Sequence, residues 1–425
     1  MRVMIEGQDL TAWTLAGALS STGCQVSINA TQLPLDDEEV TEPDLSRLLE
    51  QQFQAGRLVL DNWDHDAQLL ILADDLNHAD GYIDHLKRQF FTSKPYPLDQ
   101  LKVIALVQPV SIGTSEQIGE WLQTQLDQAI DIVYWPSFIQ AGRALESFVR
   151  PERILLGSNS ADATAFMKHM LNPFNRSRDT LMVMSLKEAE LSKLAINGML
   201  ATRVSFMNEI AQLAEQHNVD VERVRQGVGT DARIGFQYLY PGCGFGGKAF
   251  LNTLLQLSGA FDDVKTIAGR NLLKSVYEIN EQQKDLLFQK FWRYYRADIQ
   301  GKRVAIWGCA FKPNTASVDG SPALNLVSVL LAHDVQVSVY DPRAMPNFKK
   351  YMGEHPNLHY ANFPEEALDK ADALMLVTEW KEFWNLDMAM LQKRVTHPLL
   401  LDGRNIYDPQ RMKANGWVYS GVGRS

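Results

Sequence analysis

Apolar runs of four to seven residues alternate with longer helical patterns in the first third of the chain. The runs that predict strands stand at 3–7, 24–28, 69–72, 102–107 and 130–135. A helical pattern that ends near Ser21 separates the first two runs, and similar patterns separate the others. This order predicts a doubly wound parallel sheet, which ends where polar and turn residues cluster at 171–179.

The middle of the chain changes to helical periodicity, and the strand pattern then returns. Residues 185–218 contain no proline and predict one long helix, with more helix from about 250 to 295. A second α/β pattern starts at 301–311. We therefore expect an α/β fold with two Rossmann-like doubly wound parallel-sheet domains joined by a long central helix and a helical middle domain. The predicted boundaries are 1–178, 179–298 and 299–425.

The composition of the chain excludes some classes of binding partner and indicates a cellular compartment. A net charge of −10 without a basic stripe argues against nucleic acid and anionic membranes as partners. The three cysteines are far apart, which favours a reducing compartment over a disulfide framework. No apolar run approaches the roughly 20 residues of a membrane span, and the first residues show no secretory pattern. The sequence therefore predicts a cytoplasmic protein.

The first predicted strand runs into a turn that departs from a dinucleotide fingerprint. The segment GQDLTA begins at Gly7, but Asp9 and Ala12 stand where the second and third glycines of GxGxxG would lie. A carboxylate at the second position repels a pyrophosphate by roughly 4 kcal/mol at about 4 Å and an effective dielectric of 20. Asn29 and Ala30 also replace the acidic residue that would receive a ribose hydroxyl. The alternative is a Rossmann-like turn that never bound a nucleotide.

Several blocks in the second half resemble those of the UDP-glucose/GDP-mannose dehydrogenase family. Three glycines of GCGFGGKAFLNT, at 242–253, suggest a backbone that lies close to a ligand. The long helix, this loop and the later blocks match the family in order and spacing from about Glu188 to Arg424. Those later blocks are GCAFKP, TEWKEF and DGRNIY. Weaker matches, EPDL, IGT and RPERILLG, cover the first part.

The resemblance implies oxidation of the C6 alcohol of a nucleotide sugar to a carboxylate, with reduction of two NAD. The family uses a cysteine thiolate, assisted by aspartate, lysine, asparagine and glutamate side chains. Here Ala249 stands at the cysteine, Asn252 at the lysine and Thr253 at the aspartate of the GGSCFPKD-type block. Loss of a covalent nucleophile typically lowers turnover on the order of a millionfold. The chain also departs from two further blocks, with Pro109 at a threonine position and Ser137 and Ala141 in the glutamate block.

Other family positions are retained. Lys193 and Asn197 are spaced i, i+4 on one face of the long helix, and both match positions that contact the reacting sugar. The resemblance implies the same kind of contact for the retained residues of other motifs, which are Arg233, Phe245, Gly246, Gly247, Phe250, Lys312 and Arg404. A solvated helix face or surface ion pairs would be the alternative explanation for the charged members.

These residues lead to three hypotheses. The first is a degenerate homologue that has lost NAD binding and the catalytic cysteine, retains a UDP-sugar site and acts by binding or assembly. The second is an active NAD-dependent UDP-sugar 6-dehydrogenase with relocated catalytic groups. The third is a purely structural subunit. The resemblance also implies a homodimer, and a hetero-oligomer with an active paralogue is a further possibility.

No metal site is expected from the sequence. Asp64, His65 and Asp66 are adjacent, and adjacent residues rarely converge on one ion. Asp341 follows a strand in the second α/β pattern and could mimic a ribose acceptor. Cys243 is the nearest thiol to Ala249, but it precedes the glycine turn and is expected to be inert.

Overall fold

The structure of the protein is a computed structural model. The structure describes residues 1–424 except 36, 38, 39, 41, 62, 63, 65, 77, 91–98, 127, 177, 178 and 262–270, and of Pro43 the backbone alone. These residues form two compact units, Met1–Ile196 and Asn197–Ser425.

A single sheet organises the first unit. Its strands are β1 Arg2–Glu6, β2 Gln25–Ile28, β3 Leu58–Leu60, β4 Leu69–Leu72, β5 Val103–Leu106, β6 Asp131–Tyr134, β7 Ile154–Ser158 and β8 Leu181–Met184. Their order is β3-β2-β1-β4-β5-β6-β7-β8, and every neighbouring pair is parallel except β6 with β7. The order of the first six strands is that of dinucleotide-binding folds. The chain therefore reverses its direction of winding between β1 and β4, where such folds bind ligands.

Helices cover both faces of this sheet. They are α1 Leu10–Ser21, α2 Pro43–Gln54, α3 Ala79–Phe90, α4 Thr114–Gln125, α5 Ala144–Val149 and α6 Ala161–Leu171. Successive residues of β1 point to opposite faces, so Val3 and Ile5 pack with Leu15 of α1. Met4 packs on the other face, with Tyr82 of α3. Both faces of the strand are thus buried, as its continuous apolar run predicts.

The long helix α7 Leu186–Gln216 begins in the first unit and ends in the second. Further helices of the second unit are α8 Val221–Gly229, α9 Lys248–Ala260, α10 Leu272–Gln283 and α11 Leu286–Tyr294. The predicted helix at 185–218 is therefore confirmed to within two residues at each end. Gly198 of α7 lies against Leu257 and Leu273, where a side chain would crowd the packing.

A second sheet completes the second unit. Its strands are β9 Arg303–Trp307, β10 Gln336–Tyr340, β11 Leu358–Tyr360, β12 Ala373–Leu376, β13 Leu399–Asp402 and β14 Val418–Gly421. They are parallel in the order β11-β10-β9-β12-β13-β14. The accompanying helices are α12 Pro322–Ala332, α13 Met345–Met352, α14 Pro364–Ala367, α15 Met388–Leu391 and α16 Pro409–Ala414.

The predicted fold class is confirmed, because both units contain a doubly wound, mainly parallel sheet. The sequence pattern did not reveal strands β3, β7, β8, β11 and β14. No helix in the described ranges is long and apolar enough to cross a membrane.

Candidate active site

The turn after β1 retains the backbone of a dinucleotide-binding turn. Gly7 has a φ of 125°, and a Cβ there would lie 3.1 Å from the backbone of Ala73 at the end of the neighbouring strand. Only glycine adopts this conformation without strain. Ala12 is fully buried under the turn, and alanine is compatible with the close packing required at the third fingerprint position.

Asp9 occupies the N-terminus of α1 with its own carboxylate. One oxygen accepts from the backbone N–H of Ala12 at 2.8 Å, and the other accepts from the side chain of Gln108 at 2.7 Å. Gln108 also donates to the carbonyl of Ala73 at 2.8 Å, which fixes its orientation. The carboxylate therefore lies where helix N–H groups would otherwise bind a phosphate.

The environment of Asp9 raises the pKa of its carboxyl group. The residue is exposed, yet displacement of water by the surrounding protein raises this pKa to about 6, and the charge of Asp74 acts in the same direction. Tyr82 of α3 also lies within electrostatic range of Asp9. Asp9 is therefore mainly ionised at pH 7 and becomes neutral in mildly acidic solution.

Asn29 stands at the end of β2, where the family has its ribose acceptor. Its side-chain amide donates to the carboxylate of Glu6 at 3.2 Å, and its backbone carbonyl accepts from Gln8 at 2.9 Å. Ala30 is buried and offers no polar atom in its side chain. The backbone at Gly7 has the conformation of a dinucleotide-binding turn. The N-terminus of α1 is already occupied by an anion, the carboxylate of Asp9. A bound pyrophosphate would exchange with that carboxylate.

Lys193 lies on α7 with its ammonium group against the loop that follows β6. Nζ donates to the carbonyl of Ser137 at 2.8 Å and lies 4.5 Å from the centre of the Phe138 ring. Burial lowers the pKa of Lys193 to about 8, and the positive charge of Arg153 adds to this effect. An amine with such a pKa exchanges protons readily near neutral pH, as general acid-base catalysis requires. Asn197 lies one helical turn further along, half-buried.

Two buried glutamates that the sequence analysis missed hold the loops around this lysine. Glu42 accepts from the backbone of Gly142 at 2.6 Å and Ala144 at 2.7 Å, and so anchors the loop that contains Ser137. Glu190 accepts from Gly113 at 2.6 Å and Ser115 at 2.8 Å and caps α4. Glu42 begins the resembling block EPDL, and Glu190 lies on the long helix that also resembles the family. These positions were a signal in the sequence, but their roles depend on contacts between distant segments.

Protein atoms surround the glycines of the loop at 242–247 in the second unit. A Cβ at Gly246 would lie 2.5 Å from the carbonyl oxygen of Gly320, and one at Gly247 would lie 3.0 Å from the ring of Phe311. The loop is further fixed by Asn280, whose side chain donates to and accepts from the backbone of Phe245. These contacts account for the glycines without a ligand. The expected ligand contact of Gly246, Gly247 and Phe250 stays a prediction.

Ala249, Asn252 and Thr253 lie in the first turns of α9. Ala249 is exposed, and Asn252 is half-buried. Thr253 is fully buried, and its hydroxyl donates to the carbonyl of Ala249 at 2.6 Å. The threonine thus satisfies its hydrogen bond within the helix and does not act as a titratable group.

Cys243 lies in the core of the second unit, with its sulfur 3.9 Å from the carbonyl of Val377. Burial raises the pKa of its thiol, which disfavours the thiolate that a nucleophile needs. The prediction that this cysteine is inert agrees with its position. Cys24 and Cys309 are also buried.

Arg404 contacts the same backbone carbonyl as Cys243, that of Val377. Its Nε donates to the carbonyl of Val377 at 2.6 Å and lies 3.3 Å from the carboxylate of Glu379. Lys312 lies 5.5 Å from the ring centre of Phe311. Arg233 is 88% exposed and forms an ion pair with Asp231 at 2.7 Å. The three cations therefore have very different freedom to reorient toward an anion.

Further candidates from the sequence have structural explanations. Asp341 is buried and accepts from the backbone of Cys309 at 2.7 Å and the indole of Trp380 at 2.9 Å, so its oxygens serve the fold. Asp64 and Asp66 pair with Arg2. His65 lies outside the described residues. Pro109 lies three residues after the end of β5 and is half-buried.

Comparisons with known proteins match three successive parts of the chain to domains of one protein family. Models of the UDP-glucose/GDP-mannose dehydrogenase family match its NAD binding domain at 26–175, its central domain at 187–282 and its UDP binding domain at 305–409. The NAD binding match begins after the first βα turn.

Curated relatives match over most of the chain. UDP-glucose 6-dehydrogenase of Pseudomonas aeruginosa is 32% identical over 452 residues, covering 100% of this chain and 98% of the relative. The enzyme of the same name from Rhizobium meliloti is 31% identical, covering 91% and 89%. A UDP-glucose dehydrogenase structure from Pyrobaculum islandicum has a TM-score of 0.85 at 23% identity, covering 100% and 98%, which supports the fold.

These findings contradict the hypothesis of a degenerate homologue that has lost NAD binding and catalysis. That hypothesis is wrong because the NAD binding domain is present and because relatives that match over their full length are named as dehydrogenases. It inferred loss of function from a few replaced side chains, chiefly Asp9 and Ala249. The hypothesis of an active dehydrogenase is better supported.

Proposed function

Because the chain belongs to the UDP-glucose/GDP-mannose dehydrogenase family, we propose that it is an active NAD-dependent UDP-sugar 6-dehydrogenase. The observation that carries this proposal is the full-length match, at 32% identity, to a protein named UDP-glucose 6-dehydrogenase. The matches to the NAD binding, central and UDP binding domains, in this order along the chain, support it. We retain the proposed domain boundaries 1–178, 179–298 and 299–425.

The first βα turn is the proposed place for the dinucleotide. Gly7 and the N–H groups of α1 would hold the pyrophosphate, while Asn29 would face the ribose. When bound, NAD supplies the hydride acceptor for oxidation at C6 of the sugar. The Asp9 carboxylate competes for the same N–H groups, since it accepts from Ala12. We therefore expect weak cofactor binding above pH 6.

Lys193 is the proposed base for the C6 hydroxyl. Its lowered pKa of about 8 means that a measurable fraction of the amine is neutral at pH 7 to 8. Thr253 and Ser137, which stand at carboxylate positions of the family, cannot take this proton near neutral pH. The carbonyl of Ser137 instead orients the lysine. Asn197 would bind a neighbouring hydroxyl from the same helix face.

Ala249 requires a different route for the second oxidation. A methyl group forms no thioester, so we propose that the aldehyde adds water and that the resulting hydrate, a geminal diol, is oxidised to the carboxylate. The hydrate loses a hydride from C6 and a proton from one hydroxyl, as the alcohol does in the first oxidation. This route needs no covalent nucleophile, and we expect it to be slower than a route through a thioester.

The nucleotide sugar is proposed to contact the retained polar and loop residues. They are Lys193, Asn197, Arg233, Phe245, Gly246, Gly247, Phe250, Lys312 and Arg404. The presence of a UDP binding domain at 305–409 supports a UDP-sugar as the ligand. Exposed Arg233 is the member with the greatest freedom to meet a phosphate, because among the described residues its guanidinium pairs with Asp231 in its own turn.

A homodimer is the proposed assembly. Met199, Phe206 and Leu213 recur at intervals of seven residues on α7 and are 63%, 50% and 53% exposed. A stripe with this spacing on a helix is self-complementary to a second copy. Large exposed apolar side chains of this kind usually mark an interface.

The proposal is tested by NADH formation at 340 nm with UDP-glucose, related UDP-sugars and GDP-mannose, at pH 8 and micromolar enzyme. Mass spectrometry of the product then distinguishes the aldehyde from the uronate. NADH formation that requires a UDP-sugar supports the proposal. Its absence with every sugar, while a raised melting temperature shows that UDP-sugars bind, would reject the enzyme. No melting shift with any sugar or NAD would instead support a structural subunit.

A further inference from the structure

Three potential metal ligands converge at the carboxyl edge of the first sheet. Glu6 is the last residue of β1, Asp74 follows β4, and His85 lies on α3. One ligand atom of each lies within 4.8 Å of the others. Since β1 and β4 are parallel neighbours in the sheet, their carboxyl ends bring the two acids together. The histidine reaches them from the covering helix.

The histidine nitrogen that faces this cluster makes no hydrogen bond to any described residue. Nε2 of His85 is closed to solvent and makes no hydrogen bond within the described part of the chain. It lies 3.7 Å from the carboxylate of Glu6, which is beyond hydrogen-bond distance. The side chain of Glu6 is only 4% exposed. A buried polar atom without a partner is costly, and an unobserved ion or water is a common reason for one.

The three side chains form a donor set that suits a divalent transition metal. An imidazole nitrogen is a common metal ligand, and carboxylates supply both oxygen ligands and negative charge. Glu6 and Asp74 bring two carboxylates, and the side-chain amide of Asn29 donates to Glu6, at 3.2 and 3.3 Å from its two oxygens.

We propose that Glu6, Asp74 and His85 bind one divalent transition-metal ion, Zn²⁺ or Mn²⁺, with water completing the coordination. One imidazole with two carboxylates suits these ions better than Mg²⁺ or Ca²⁺, which prefer oxygen ligands alone. Two carboxylates balance the charge of the ion, and the unpartnered nitrogen becomes a ligand. The proposal is independent of the reaction that the protein catalyses.

Equilibrium dialysis of the purified chain against ZnCl₂ or MnCl₂, followed by elemental analysis, tests this site. We expect about one ion per chain at micromolar free metal. His85→Ala should lower the affinity at least tenfold, as should Glu6→Gln, which keeps the size of the buried side chain. His169→Ala, at an exposed position on α6, is the matched control and should bind like the wild type.

A spectroscopic measurement on the wild type covers the case in which a variant does not fold. Co²⁺ should give visible absorption bands of a protein-bound ion that Zn²⁺ displaces. Mn²⁺ should broaden the NMR signals of the His85 ring before those of His169. Less than a tenth of an ion per chain, equal binding by wild type and folded His85→Ala, or unselective broadening of both rings would overturn the proposal.

Discussion

The ammonium group of Lys193 donates to the backbone carbonyl of Ser137 at 2.8 Å and lies over the ring of Phe138. This contact holds the amine in a buried position where its pKa is lowered to about 8. Since Ser137 contributes its backbone, this orientation does not depend on the missing glutamate side chain. This geometry leads to the first prediction.

Lys193→Met should lower kcat/KM for UDP-glucose at least about a hundredfold, because it removes the proposed base. In the wild type, kcat/KM should rise with pH through about 8 as the amine loses its proton. Steady-state NADH formation between pH 6.5 and 9.5 measures both effects. Lys187→Met removes an exposed lysine from the same helix and should retain the wild-type rate and profile. A pH profile that falls through pH 8 would contradict the role as a base.

Asp9→Asn should tighten NAD binding at pH 7.5 by about tenfold, or roughly 1.4 kcal/mol. The amide oxygen still caps Ala12, but the negative charge near the pyrophosphate is gone. Isothermal titration calorimetry at pH 5.5 and 7.5 is the measurement. Wild-type affinity should increase as the pH falls through about 6, because Asp9 gains a proton, while the variant should show little change. Asp162→Asn, in the first turn of α6, is the control.

The raised pKa of Asp9 also predicts the sign of a stability change. A carboxyl group whose folded pKa lies above its unfolded value stabilises the fold below the unfolded pKa, and this contribution is lost as the pH rises through about 6. The melting temperature of Asp9→Asn relative to wild type should therefore be higher at pH 7.5 than at pH 4.5. A difference of the opposite sign would show that the ionised cap is stabilising.

Ala249→Cys should introduce an accessible thiol. The three native cysteines are buried, so the native wild type should react slowly with Ellman's reagent. The variant should release about one fast equivalent, since position 249 is exposed in the first turn of α9. The ratio of uronate to aldehyde should also rise. An unchanged ratio in a variant whose thiol reacts would contradict the proposal that the missing thiol limits the second oxidation.

Gly246→Ala should destabilise the protein by about 1–3 kcal/mol, because the new Cβ would lie 2.5 Å from the carbonyl of Gly320. Urea unfolding followed by circular dichroism measures the change. Gly259→Ala, in α9 with open space around it, should instead stabilise by up to about 1 kcal/mol through helix propensity. Equal effects of the two substitutions would show that the contact with Gly320 does not restrict position 246.

Phe206→Glu should convert a dimer to a monomer, because it places a charge in the middle of the exposed stripe on α7. Size-exclusion chromatography with light scattering over a range of concentrations measures the mass. Gln212→Glu adds the same charge at an exposed position of α7, about 100° around the helix from Leu213. It is the control and should leave the mass unchanged. A wild type that is monomeric at all concentrations would contradict the proposed homodimer.

The sequence by itself determined the fold class, the family and the replaced catalytic positions. Apolar periodicity marked strands that are buried on both faces, such as β4, whereas β8 and β14 contain exposed and half-buried positions and did not show it. The family positions, including Ala249 and Lys193, lie within contiguous motifs and could therefore be identified from the sequence alone. The interpretation of those replacements as loss of function was wrong, since a motif shows which group is absent but not which group replaces it.

Only the tertiary structure decided how distant residues act on one another. The carboxylate of Asp9 meets Gln108, and that of Glu42 holds the loop at Gly142, although long segments separate each pair. The glycine at 246 is required by the backbone at Gly320 and not by an evident ligand. Glu6, Asp74 and His85 form a cluster because parallel strands and a covering helix meet at one sheet edge. Local patterns encode elements, whereas burial, charge and pKa depend on which elements pack together.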